Sequence, residues 1–164
     1  MKAESDLKIG IAGLGVVRSD VSRQILNHAD TLAAAANRPI RLVAVNARTK
    51  DVDRGFSMDD IDWVDQAVDI AARKDIDVVV EMIGGSEGVA LDLARASLTA
   101  GKTFVTANKA MLAHHGTELA TLAEAHDAPL FFEAAVAGGI PAVKTLREGL
   151  AGNRVKRIAG ILNG

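Results

Sequence analysis

Short runs of apolar, mostly β-branched residues alternate along the chain with longer stretches whose apolar positions recur every three or four residues. Strands turn successive side chains to opposite faces, while helices repeat about every 3.6 residues, so the runs predict strands and the longer stretches amphipathic helices. The predicted strands are Leu7–Ala12, Ile40–Asn46, Asp77–Met82, Thr103–Thr106, Pro129–Glu133 and Arg154–Leu162. The predicted helices are Val17–Ala36, Trp63–Lys74, Glu87–Ala100, Thr117–His126 and Pro141–Gly149. Val78-Val79-Val80 is apolar at consecutive positions, as suits a strand covered on both faces. Such alternation marks βαβ units, and the expected fold is α/β: a doubly wound, mainly parallel sheet with helices on both faces. Pro141 suits the first position of a helix, and Gly101 and Gly149 stand where helices would stop. From Lys50 to Ile61 no period is sustained, so that stretch reads as a surface loop whose acidic residues, Asp59 and Asp60 with Asp62 beyond, are solvated.

Composition narrows the picture. At 164 residues the chain is expected to form one domain, residues 1–164, burying roughly 70% of its unfolded surface. Hydrophobic residues are 49% but aromatics only 3%, so the core is aliphatic, and 15 glycines allow close packing. A net charge of −2 argues against a nucleic-acid partner held by a bulk positive field. The absence of cysteine excludes disulfides, thiolate metal sites and a cysteine nucleophile, and fits a cytoplasmic compartment. The start, Met1 to Lys8, is polar, and no run approaches the roughly 18 apolar residues of a membrane helix, so neither export nor a membrane partner is expected.

Four segments carry candidate chemistry. Gly13-Leu14-Gly15-Val16-Val17-Arg18 follows the first strand and opens the first helix, where a glycine turn lets backbone approach a pyrophosphate. Arg18 stands where a third glycine is usual; it either adds a phosphate contact or pushes the helix off the strand. Ser19 can cap that helix, and Asp20 favours an unoccupied helix start while repelling a bound phosphate. After the second strand, Asn46-Ala47-Arg48-Thr49-Lys50 offers no acid for ribose hydroxyls but two cations, Arg48 and Lys50, where a 2′-phosphate would sit, which favours NADP over NAD. Ile83-Gly84-Gly85-Ser86 gives backbone access beside a nicotinamide, and Ser86 either caps the next helix or touches the cofactor. Lys109, at the end of Thr106-Ala107-Asn108-Lys109, is expected to face the crevice and to hold substrate or shuttle a proton.

Taken in order, Gly-Leu-Gly-Val-Val, Val-Asn-Ala-Arg, Val-Val-Val-Glu-Met-Ile-Gly-Gly, Val-Thr-Ala-Asn-Lys and Phe-Glu-Ala-Ala-Val-Ala-Gly-Gly-Ile-Pro closely resemble the amino-terminal half of homoserine dehydrogenase, from about Leu7 to Gly164. The resemblance implies a Rossmann-type domain of an oxidoreductase that interconverts L-homoserine and aspartate semialdehyde with NAD or NADP, in the biosynthesis of threonine and methionine. It implies that Gly13, Leu14, Gly15, Val16 and Val17 line the pyrophosphate turn and that Arg48, with Lys50 near, meets the adenosine phosphate. Ile83 and Gly84 would approach the nicotinamide, and Lys109 would contact cofactor and substrate as a catalytic residue. A sodium ion is implied at Glu133, Val136, Gly138 and Ile140, whose carbonyls, with a carboxyl-bearing residue, suit a hard cation.

In that family the substrate-gripping acids, a second lysine and the homodimer contacts lie beyond the segment matched, so this chain is expected to be a fragment, inactive by itself. The runner-up reading is a non-catalytic dinucleotide-sensing or interaction module, motivated by Arg18 and Asp20; a methyltransferase would want an acid near Asn46. Adjacent His114 and His115 make a poor metal pair, His28 and His126 have no evident partner, and Trp63 reads as a packing anchor.

Overall fold

The computed structural model describes residues 5–15, 19–138 and 140–160. Strands β1 (Leu7–Ala12), β2 (Ile40–Asn46), β3 (Asp62–Trp63), β4 (Val78–Glu81), β5 (Thr103–Thr106) and β6 (Leu130–Phe131) form one sheet in the order β3-β2-β1-β4-β5-β6. Every neighbouring pair is parallel. The chain builds outward from β1 to β3, crosses back to β4 and builds the other way, which is the Rossmann order with its switch point between β1 and β4.

Helices α1 (Asp20–Asn27), α2 (Ala29–Ala36), α3 (Asp69–Ala72), α4 (Val89–Thr99), α5 (Lys109–Ala125) and α6 (Ala142–Lys144) make up the rest, with a 3-10 turn at Glu133–Ala135 and a π turn at Thr145–Gly149. Strand alternation sorts the core into two layers. Val79 packs with Ile70, Leu91, Leu98, Phe104, Met111 and Leu119 under α3, α4 and α5. Its neighbours Val78 and Val80 pack with Ile11, Leu14, Ile25, Leu42, Val45 and Ile61 on the other face, the side of α1. Each fully buried aliphatic or aromatic side chain is worth about 1.5–3 kcal/mol. Gly10 lets α3 sit close to the sheet, since a Cβ there would lie 2.5 Å from Cγ2 of Ile70.

Register brings the strand ends level: Ala12 pairs with Asn46 on one side and Glu81 on the other, and Glu81 pairs with Thr106. On the β2 side this alignment depends on an irregularity. Ile9 pairs with Leu42 but Gly10 pairs with Ala44, so β2 carries one extra residue at Val43.

Several expectations are corrected. The helix expected over Val17–Ala36 breaks at His28 (φ −116°, ψ 27°) into α1, which buries Ile25 against the sheet, and α2, whose alanine-rich turns bury no residue; its first two residues lie outside the described ones. Trp63–Lys74 is not one helix: Asp62 and Trp63 pair with Ala44 and Val45 as the edge strand, leaving only the short α3. The helix expected from Thr117 starts instead at Lys109, because the Asn108 side chain caps it by accepting the Met111 amide at 3.1 Å. The strands expected at Asp77–Met82 and Pro129–Glu133 contract to β4 and β6. Residues 154–160 form no strand, and Val155 and Ile158 stay 46% and 68% exposed, since no neighbouring strand takes up their backbone groups; residues 161–162 lie outside the described ones. Pro141 takes the position just before α6 rather than its first residue. Gly149 ends the π turn without the left-handed conformation that Gly101 adopts at φ 70°. Among the described residues no helix is long and apolar enough to cross a membrane.

Candidate functional site

The level strand ends open into a pocket of about 450 Å³ at the switch point, lined by Gly13, Leu14 and Gly15 after β1, Asn46 to Thr49 after β2, Val52 and Arg54 beyond, and Ile83 and Val89 on the β4 side. Open α/β sheets bind ligands at this edge.

Gly13 makes the first wall possible. It sits at φ 97°, and a Cβ would fall 2.5 Å from the Met82 carbonyl carbon and 2.6 Å from the Ile83 nitrogen, so only glycine lets the turn pass the end of β4. The amides of Gly13 and Leu14 both donate to the Asn46 carbonyl, at 2.9 and 3.2 Å, and the Gly15 amide donates to the Gly13 carbonyl at 2.9 Å. These three residues therefore shape the pocket while their own amides are spent inside the turn. Among the described residues nothing lies within 4 Å of where a Cβ on Gly15 would stand. Ser19 does not cap α1; its hydroxyl donates back to the Gly15 carbonyl at 3.1 Å, closing the turn. Asp20 pairs with Arg23. Val16, Val17 and Arg18 lie outside the described residues.

Arg48 lines the pocket, whereas Lys50 lies just beyond it and contributes its carbonyl to a neighbour. That neighbour, Arg54, is the residue that sequence reasoning missed within a stretch taken for a solvated loop. It is only 7% exposed. Its Nε donates to the Leu14 carbonyl at 3.4 Å, Nη1 to those of Lys50 and Val52 at 3.0 and 2.9 Å, and Nη2 to that of Thr49. The guanidinium also lies 5.3 Å over the Trp63 ring, a cation–π contact. Trp63 is thus more than a packing anchor, and its Nε1 donates to Asp65 at 3.0 Å. Asn46 fastens the same side, its Nδ2 donating to the carbonyls of Val64 and Asp65 at 2.8 and 3.1 Å.

Beyond β4 a second polar network organises the loop of Ile83 to Gly85. Glu81 is fully buried. Its Oε1 accepts the amides of Ile83 and Gly84 at 2.5 and 3.0 Å, and its Oε2 accepts the Thr106 hydroxyl at 2.5 Å. Thr106 Oγ1 accepts the Asn108 amide at 3.0 Å, and Asn108 Nδ2 donates to the Gly85 carbonyl at 2.7 Å. Gly84 and Gly85 take φ values of 84° and 85°, which leave their backbone free to turn. In the sequence Glu81 stands within Val-Val-Val-Glu-Met-Ile-Gly-Gly, with nothing beside it to mark a site residue. Its one signal is its own place, an acid directly after a Val-Val-Val strand, since such a group must be fully satisfied when buried. Ser86 does not cap α4, which begins after Gly88 without a side-chain cap.

Lys109 is the first residue of α5, is exposed, and is not among the residues that line the pocket. Glu133 opens the 3-10 turn; its carboxylate accepts the amides of Val143 and Lys144 at 3.1 and 3.0 Å and is thereby engaged. Val136, Gly138 and Ile140 follow around a bend in which Ala137 takes φ 53°. Among the described residues no group of three or more His, Asp or Glu gathers as a metal site. His115 faces Glu87 at 2.6 Å and Glu118 at 3.3 Å, and Glu118 is also held by Arg95. The Glu87 carboxylate raises the His115 pKa above its ordinary value, and Arg95 lowers that of Glu118.

Comparison with known proteins gives a consistent result. The family model described as the NAD binding domain of homoserine dehydrogenase matches residues 13–133. The homoserine dehydrogenase of Neisseria gonorrhoeae is 42% identical over 158 residues, which are 96% of this chain and 36% of that protein. The crystal structure of a homoserine dehydrogenase from Thiobacillus denitrificans is 37% identical, covers 92% of this chain and 34% of its own, and superposes with a TM-score of 0.81. A hyperthermophilic archaeal homoserine dehydrogenase mutant in complex with NADPH, 21% identical, shares the fold at a TM-score of 0.69 over 90% of this chain and 50% of its own. The chain thus spans 36% of the length of the curated relatives it matches.

Proposed function

The chain belongs to the homoserine dehydrogenase family as its NAD-binding domain, and on that premise we propose that the switch-point pocket holds a nicotinamide dinucleotide, with NADP preferred over NAD. The observation that carries this reading is the glycine turn: Gly13 passes the end of β4 where no side chain fits, and Gly15 leaves open space in front of it. Gly13, Leu14 and Gly15 give a pyrophosphate close approach while their own amides are spent inside the turn, and the family resemblance adds Val16 and Val17 to the residues that line it. Arg48 on the pocket wall and Lys50 beside it meet a ribose 2′-phosphate, and no acid is among the described residues that line the pocket. Ile83 and Gly84, fixed by Glu81, flank the nicotinamide.

When bound, the dinucleotide would exchange a hydride with the carbon bearing the substrate oxygen, its oxidised form accepting one from L-homoserine and its reduced form returning one to aspartate semialdehyde, a step of threonine and methionine biosynthesis in the cytoplasm. Lys109 at the start of α5 orients cofactor and substrate and moves a proton at the substrate oxygen. Substrate-gripping groups and homodimer contacts belong to the remaining length of the relatives. On the family resemblance a sodium ion would be held at Glu133, Val136, Gly138 and Ile140; with the Glu133 carboxylate accepting two amides of α6, backbone oxygens would be its ligands. Calorimetric titration with NADPH and NADH tests the reading. Saturable binding with NADPH tighter supports it, and no binding of either overturns it.

A further inference from the structure

We propose that Arg54 is the positioning residue that sets nucleotide selectivity: it folds the loop after β2 around its guanidinium and so holds Arg48 and Lys50 at the rim of the pocket. This rests on the phosphate-site reading above. Arg48 and Lys50 are exposed side chains on irregular backbone. Alone, such cations lose much of their attraction to a phosphate in ordering themselves and the chain beneath them.

Arg54 removes that cost in advance. Carbonyls of Thr49, Lys50 and Val52 converge on it from one loop, and that of Leu14 from the glycine turn. The two walls of the pocket are therefore joined through one side chain. A guanidinium has the planar fork to meet several carbonyls at once, which a lysine ammonium does not. Buried cations usually sit against carboxylates, yet among the described residues none is within ion-pair reach of Arg54, and the nearby Asp53 carboxylate is turned to the Gly55 amide at 2.8 Å. Among the described residues the permanent positive charge is met by carbonyl dipoles and the Trp63 ring, and it adds to the field in which a dianionic phosphate would sit. Trp63, the chain's only tryptophan, closes the far side at 5.3 Å. Its fluorescence reports directly on the clamp.

The test compares the wild-type chain with Arg54→Met and Arg54→Lys, titrating NADPH and NADH and recording Trp63 emission without ligand. The expected result is that both variants shift the Trp63 spectrum and lose the NADPH-over-NADH ratio by roughly tenfold or more, with NADH affinity changed far less. Lysine keeps the charge and loses the fork, so its failure to rescue assigns the effect to loop geometry. A preference that survives in Arg54→Lys, or equal losses for both cofactors, overturns the inference. If Arg54→Met does not fold, Arg54→Lys decides. A wild-type chain that binds both cofactors equally fails the phosphate-site reading instead, and the inference with it.

Discussion

Thr106 donates its single hydroxyl hydrogen to Glu81 across 2.5 Å while accepting the Asn108 amide at 3.0 Å, so the direction of every bond in this buried chain is fixed. Glu81 accepts and never donates, as a carboxylate must. The loop after β4 and the cap of α5 consequently hang from one side chain. Glu81→Ala strands the amides of Ile83 and Gly84 and the Thr106 hydroxyl, and unfolding in urea should show a loss of about 3 kcal/mol or more. Glu81→Gln keeps an acceptor for the two amides but turns an N–H₂ on Thr106, and should cost about 1–3 kcal/mol. A loss below about 1 kcal/mol in the alanine variant contradicts this account.

The glycine turn separates folding from binding. Gly13→Ala forces a Cβ into backbone at a left-handed φ and should lower stability by about 2 kcal/mol or more. Gly15→Ala meets nothing among the described residues and should leave stability within about 1 kcal/mol. Its Cβ would stand where the pyrophosphate approaches, so NADPH affinity should fall at least about tenfold by calorimetry. Unchanged affinity in Gly15→Ala would remove the turn from the binding site.

His115 supplies a pH-dependent contact outside the pocket. Its pKa is raised, chiefly by the hydrogen bond to Glu87, so the folded state favours the protonated ring. The resulting stabilisation is complete below the ordinary imidazole value, near about 6.5, and is lost as pH rises through the raised one. Glu118, lowered chiefly by Arg95, contributes above its unfolded value and loses that contribution as pH falls through the lowered one. An NMR titration should place the His115 midpoint above that of a free histidine. Urea unfolding of His115→Gln should flatten the loss of stability as pH rises above the ordinary imidazole value; an unaltered profile would show that the contact carries no linkage.

Removing the cap at Asn108 tests the link between the two strand ends. Asn108→Ala frees the Met111 amide and the Gly85 carbonyl, at a cost of about 1–2 kcal/mol. Hydrogen exchange should quicken at Met111 without change in α4. Uniform quickening across the sheet would argue for global rather than local loosening.

The alternation of apolar runs and helical stretches located β1, β2 and β5 to the residue, because buried parallel strands leave an unbroken apolar signature. Trp63 misled for a physical reason: a two-residue edge strand is too short for any period to register, and its ring is engaged by an arginine nine positions earlier in sequence. The pocket lining was legible where it depends on backbone, at Gly13 and Gly15, since glycine itself is the signal. Arg54 and Glu81 were not legible as site residues. A charged residue in a loop or at a strand end looks solvated until the fold shows which carbonyls and amides surround it.

The extra residue at Val43 in β2 acts as a length standard for the site. With a plain ladder Ala12 would face Val45; the irregularity advances Asn46 to the edge instead, and Arg48 with it. On the proposed reading, reach toward the adenosine end would thus be set in the interior of a strand, at a residue outside the pocket lining. In a scan of single-residue deletions, tolerance should be lowest within β2 and higher in the loop that follows. Recombining such domains between relatives should respect the length of that strand before the identity of any contact residue.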